Sequence, residues 1–221
     1  MLSLILLSTL LRVTTGQIST LKTYLPGSPL NHQVIQASGQ AFYLGLEKPT
    51  TYCPEIVEPF CPNVTQTIVA GAMAAMYVRI PFPPNLSSRP RLLFGSAADG
   101  VCQVNVPGGQ QIWVRPDGWV GYTQAHSASV PTGAYRGGFA NVTITSECDP
   151  TVDVFAWKTP GESSEGILAC PDLPDYMVNS PATHQIYVRT PEFKLEDCVE
   201  LEGLLATSLP SGSAFGAWQY V

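Results

Sequence analysis

The chain has 221 residues, 45% of them hydrophobic and 13% charged, with a formal net charge of −6. That length and apolar content suit a single domain with a real core, and the acidic balance argues against nucleic acid and anionic membranes as partners. Nineteen glycines and twenty prolines are too many for a helical protein and fit short strands joined by many turns.

Residues 1–16, MLSLILLSTLLRVTTG, are apolar from Leu2 to Leu11 and then reach small residues at Thr14 and Gly16. This is the pattern of a cleaved secretory signal, too short to span a bilayer. No Lys or Arg precedes the apolar run and Arg12 follows it, which keeps a buried N-terminal strand or helix as the alternative. Residues from about Gln17 to Asn31 are polar, with Pro26 and Pro29, and 17–37 reads as an N-terminal arm ahead of an all-β domain over 38–221.

Within that domain Phe42 and Leu44 alternate with Tyr43 before Lys48-Pro49 breaks the strand. Thr67, Ile68 and Val69 favour a second strand over a short helix near Ala70 to Ala75. The segment PGGQQIWVRPDGWVGYTQAHS, Pro107 to Ser127, reads as a hairpin. Ile112 and Val114 fall on one face and Trp113 on the other, with Arg115-Pro116-Asp117-Gly118 as the turn. VDVFAWK, GILAC and HQIYV are further strands, and CVELEGLLATSL alternates in a way that favours strand over helix. Strands without alternating long helices make the fold all-β in a single compact domain. Recurring strand–turn–strand units suggest a β-trefoil, with a β-sandwich or open barrel as rival, and periodicity does not choose between them.

Residues 78–103, VRIPFPPNLSSRPRLLFGSAADGVCQ, are rich in Pro and Arg and have no period of two. They interrupt the join between AAMY and VNVPGGQQ, as an atypical insertion. A long surface loop is one reading, although structureless loops of this length are uncommon. Translated intron sequence is the other: Tyr77-Val78-Arg79 can be encoded across a splice donor, and Cys102-Gln103 can end in an acceptor.

Six cysteines with no CxxC fit disulfides in an oxidising compartment better than zinc. Cys53 and Cys61 bracket a short loop, Cys170 and Cys198 flank a strand and its loop, and Cys102 and Cys148 remain as a third pair. Glycosylation sequons stand at Asn63, Asn85 and Asn141. The C-terminal SGSAFGAWQYV carries no hydrophobic tail of the kind a GPI-type anchor needs.

SGQAFYLG, TYCPEIVEPFCP, PGGQQIWVRPDGWVGYTQAHS, GILACP and the closing AWQYV together resemble the fungal secreted IgE-binding proteins. That family is itself similar to the phialide-associated cell-wall proteins and fungal allergens. The resemblance covers the chain from about Ser38 onward and departs from the pattern at Val78–Gln103. It implies a secreted, non-catalytic glycoprotein of the fungal wall or surface, with host IgE as a partner. Wall polysaccharide or wall proteins are the other partners it suggests.

The residues themselves contain no G-x-S-x-G, H-E-x-x-H or phosphate-binding loop, and His32, His126 and His184 are scattered. No catalytic residue, metal site or cofactor is expected. His126 reads as structural, hydrogen-bonding the end of the hairpin through Thr123 or Gln124. Trp113 and Trp119, with His126 nearby, form the candidate ligand-binding group, because aromatic faces with polar handles suit sugar rings. The competing account places these rings, with Trp157, Trp218, Tyr122 and Tyr187, in the core and on hairpin faces.

Overall fold

The computed structural model describes residues 18–56, 61–71, 100–102, 109–145, 150–171, 173–174, 183–210 and 216–221. The first strands are β1 (Ile18–Tyr24), β2 (Gln36–Ser38), β3 (Ala41–Leu44), β4 (Thr51–Tyr52) and β5 (Ile68–Gly71). β6 (Gly100–Cys102), β7 (Gln110–Val114), β8 (Val120–Tyr122), β9 (Phe139–Ile144) and β10 (Val152–Trp157) follow. The last are β11 (Ile167–Cys170), β12 (His184–Val188), β13 (Val199–Leu201), β14 (Gly203–Ser208) and β15 (Gln219–Tyr220).

Thirteen of these strands share one ladder in the order β13-β11-β12-β3-β8-β7-β6-β5-β1-β14-β10-β9, with β2 added beside β3. β15 and β4 form a separate pair. The fold is all-β, and the ladder does not close into a barrel but folds into a compact, sandwich-like pair of layers. This is the arrangement held as the rival to a trefoil, and the strand order lends no support to a threefold repeat. β7 makes the corner. Its residues Gln110 and Gln111 pair with β6, while Ile112 to Val114 pair with β8 in the other layer.

Period-two alternation decides what lies between the layers. Leu21, Phe42, Leu44, Ile112, Val114, Val120, Phe155, Trp157, Ile167, Ile186, Val188 and Leu204 all belong to one buried cluster. Each side chain of this size contributes about 1.5–3 kcal/mol when taken from water. The alternate residues of β11 and β12 build a smaller outer cluster, Leu168, Cys170 and Tyr187, covered by Trp119, Phe193 and Leu195.

One expected boundary is corrected. Ile18–Tyr24 is not part of an arm but a strand inside the ladder, paired with β14 on one side and β5 on the other. Its sequence looks polar because Ser19, Thr20 and Thr23 are buried as hydrogen-bonding groups. The Thr23 hydroxyl donates to the Leu30 carbonyl and accepts from the Gln33 amide at 3.0 Å, which meets the requirement that buried polar groups be paired.

Of the 78–103 segment, Gly100–Cys102 forms β6, paired with β5 and β7; residues 78–99 and 103 lie outside the described residues, as do Asn85 and Cys148. Two disulfides are present among the described residues, Cys53–Cys61 and Cys170–Cys198. The second spans 28 residues and ties the fully buried end of β11 to the loop leading into β13. Closing a loop of that length stabilises by about 3–4 kcal/mol in the chain-entropy account. Reduction, verified by thiol counting, is therefore expected to lower the melting temperature by about 10 °C. An unchanged melting curve would show that the bridges do not brace the fold.

Candidate functional site

The candidate site grows from the β7–β8 hairpin. Its turn is closed by Gly118 N–H donating to the Arg115 carbonyl and Arg115 N–H donating to that of Trp119, both at 2.9 Å. Asp117 pairs with the Arg115 guanidinium and accepts from Trp119 N–H at 3.3 Å. The tip is then held against the β12–β13 connection by Thr190, whose hydroxyl donates to the Pro116 carbonyl at 2.5 Å.

On the outer face, Trp113 lies directly opposite Gly121. A Cβ at Gly121 would come within 2.6 Å of the Trp113 ring, so the missing side chain makes the space the indole fills. Trp119 precedes Gly121 by two residues and therefore shares its face. The two indoles meet edge to face with centroids 5.6 Å apart, and the Arg115 guanidinium stands 4.7 Å above the Trp119 ring, where cation–π attraction holds it. Trp113 is buried at 5% exposure, with no hydrogen-bond acceptor for its indole N–H among the described residues. Trp119 is half-buried.

Three clefts adjoin along this face. The first, about 430 Å³, is lined by Gly39, Tyr43, Arg115, Trp119, Gln185 and Tyr187. The second, about 340 Å³, is lined by Gln40, Trp113, Thr123, Gln124, Ser127 and Ser129. The third, about 380 Å³, includes Gln40, Gln124, His126, Gln219 and Tyr220. Gln40 and Gln124 belong to both the second and third, and Gly39 joins the first to them through the β2–β3 turn. Gly39 and Gln40 both have positive φ, 56° and 61°, the two-residue hairpin geometry. Gln40 adopts it at a cost that glycine would not carry.

His126 lies in a turn beyond β8 and not on a strand. It is exposed, with φ 60°. The expected imidazole hydrogen bond is corrected: the turn is closed by backbone, Ser127 N–H to the Gln124 carbonyl at 3.2 Å. The histidine lines the third cleft, separate from the tryptophan pair. His32 and His184 sit elsewhere, in the β1–β2 connection and on β12.

Among the described residues, aromatic rings, amides and hydroxyls dominate the lining, and the one cation, Arg115, is matched by Asp117. Among the described residues, none of the three clefts is lined by Asp or Glu, and no cluster of His, Cys, Asp and Glu is arranged for a metal ion. Trp157 and Tyr122 belong to the core at 2% and 0% exposure. Tyr43 and Gln185 escaped the sequence reading, although alternation with Phe42, Leu44 and Ile186 places them on this outer face. Of the sequons, Asn63 is exposed between Cys61 and β5, and Asn141 is exposed on β9.

An uncharacterized secreted protein of Arthroderma benhamiae is similar to this chain, 33% identical over 186 residues, which cover 84% of the chain and 76% of that protein. No protein-family model matches, and no solved structure matches. The similarity carries the secreted, fungal part of the resemblance and says nothing of IgE or phialides.

Proposed function

We propose that this chain, which belongs to a family of secreted fungal proteins, is a non-catalytic protein of the fungal wall or surface that holds neutral wall polysaccharide in the clefts beside Trp119. The observation that carries this reading is the first cleft. Trp119 stands half-buried there beside the buried Tyr43, Gln185 and Tyr187, and Arg115 is neutralised by Asp117. Rings with polar neighbours and no net charge suit a ligand whose faces are apolar and whose rim is hydroxyl. Host IgE, implied by the resemblance, would meet the protein as an exposed antigen, and that role assigns no ligand to the clefts.

The test is a pull-down of the secreted protein on insoluble chitin, β-glucan and cellulose beside Trp119→Ala. Trp119 packs on Trp113 and the outer cluster, so the variant is expected to melt a few degrees below wild type in a transition that stays cooperative, which the melting curve checks before binding is scored. Saturable binding to one polymer, weakened about tenfold or more in the folded variant, corresponds to at least about 1.4 kcal/mol from this ring. Absence of saturable binding to all three would overturn the polysaccharide reading and leave a purely structural surface protein.

A further inference from the structure

The two ends of the open ladder are built differently. At one end β13 has three residues, Val-Glu-Leu. Glu200 pairs with Arg189 at 3.0 Å, and the Cys170–Cys198 bridge pins the residue just before the strand. A short, charged strand is the usual protection of a sheet edge.

Among the described residues, the other end lacks that protection. β9 has six residues, Phe-Ala-Asn-Val-Thr-Ile, with no charge among them. Among the described residues it pairs only with β10. Asn141, Val142 and Thr143 are exposed, Val142 at 44%. An uncharged, β-branched edge of this length is a template for another strand.

The same strand carries the sequon Asn141-Val142-Thr143. Asn141 lies directly opposite Phe155, a core residue, and side chains directly opposite share a face of the sheet. Asn141 thus belongs to the face that the core fills, yet its side chain is exposed.

We propose that Asn141 carries an N-linked glycan that blocks pairing of β9 with β9 of a second copy of this chain. The carboxamide nitrogen of Asn141 bonds to the anomeric carbon of an oligosaccharide delivered on a lipid pyrophosphate. The carbon–oxygen bond to the pyrophosphate breaks, and the amide proton leaves with the released lipid pyrophosphate. Attached at mid-strand, the branched oligosaccharide beyond its first sugar sweeps the space beside the edge that a neighbouring strand would need about 4.8 Å away. Without it, two β9 strands pair antiparallel about a twofold axis, a self-complementary contact.

The experiment uses the full chain secreted from a glycosylating yeast. Intact mass before and after endoglycosidase, with peptide mapping, is expected to place a glycan on Asn141. Trimming the folded protein to a single sugar, which bypasses any folding defect, is expected to lower the dimer dissociation constant about tenfold or more by light scattering after size exclusion. Asn141→Gln and Thr143→Ala are expected to do the same, Asn63→Gln to remain monomeric, and Asn141→Gln with Val142→Lys to return to monomer by placing a charge on the edge. An unmodified Asn141 in the secreted protein overturns the proposal. So does a trimmed protein that stays monomeric up to its solubility limit.

Discussion

Gly118→Ala is expected to reduce the unfolding free energy by about 4 kcal/mol, a large share of the about 5–15 kcal/mol typical of a domain. Gly118 has φ 89°, and a Cβ there would sit 2.2 Å from the Val188 carbonyl oxygen and 2.9 Å from the Phe193 ring. The left-handed backbone costs an alanine about 1–2 kcal/mol, and overpacking against a fixed carbonyl adds about 1–3 kcal/mol. Val188 cannot yield cheaply, because its own N–H donates to the Gly118 carbonyl at 2.9 Å. Gly161 is the internal control: its φ is 79° but nothing lies within 4 Å of the added carbon. Gly161→Ala should therefore lose only the backbone share. Urea unfolding of both variants checks this, and equal losses would show that the contact with β12 is not as close as described.

Gln110→Ala is expected to cost about 3–5 kcal/mol although Gln110 is a polar residue. Its side chain is fully buried. It donates at 2.9 Å to the carbonyls of Thr123 and Tyr220 and accepts from Tyr220 N–H at 2.8 Å. Truncation strands three backbone groups in the interior, each worth about 1–3 kcal/mol when left unpaired. The Tyr220 hydroxyl in turn accepts from Ile68 N–H at 2.9 Å, so one amide links the hairpin, β15 and β5. Gln110→Met keeps the volume without the hydrogen bonds and should be nearly as damaging as alanine. A methionine variant within about 1 kcal/mol of wild type would assign the residue's role to packing instead.

Much of the fold was legible where alternation is strict and local. Ile112 and Val114 separate from Trp113 in the sequence as they do in space, and Arg115-Pro116-Asp117-Gly118 forms the turn its residues call for. The pairings Cys53–Cys61 and Cys170–Cys198 follow the spacing of the cysteines. β1 was not legible, because its buried residues are largely hydroxyls whose partners, such as the Leu30 carbonyl, no local pattern reveals. Nor was the order of strands, since β1 meets β14 and β3 meets β12 across most of the chain. The candidate site was readable in part. Trp113 and Trp119 were visible, but their meeting on one face depends on the empty space at Gly121. Tyr43 and Gln185 join them only because distant strands become neighbours. The positive φ of Gln40 and His126 has no local signature outside glycine.

The position of β1 in the ladder also governs when the protein can fold during its own synthesis. Ser19 faces Ser208, about 190 residues later, and ribosomes add about 5–20 residues per second. The first strand to emerge therefore waits about 10–40 s for its partner. A nascent chain stopped after β13 already holds Trp113, Trp119 and Trp157 and the cysteines of the two described disulfides, yet β1 has no β14 and the layer containing it is missing a central strand. Protection of β1 against proteolysis should therefore appear only in nascent chains long enough to expose β14, and not in those stopped after β13.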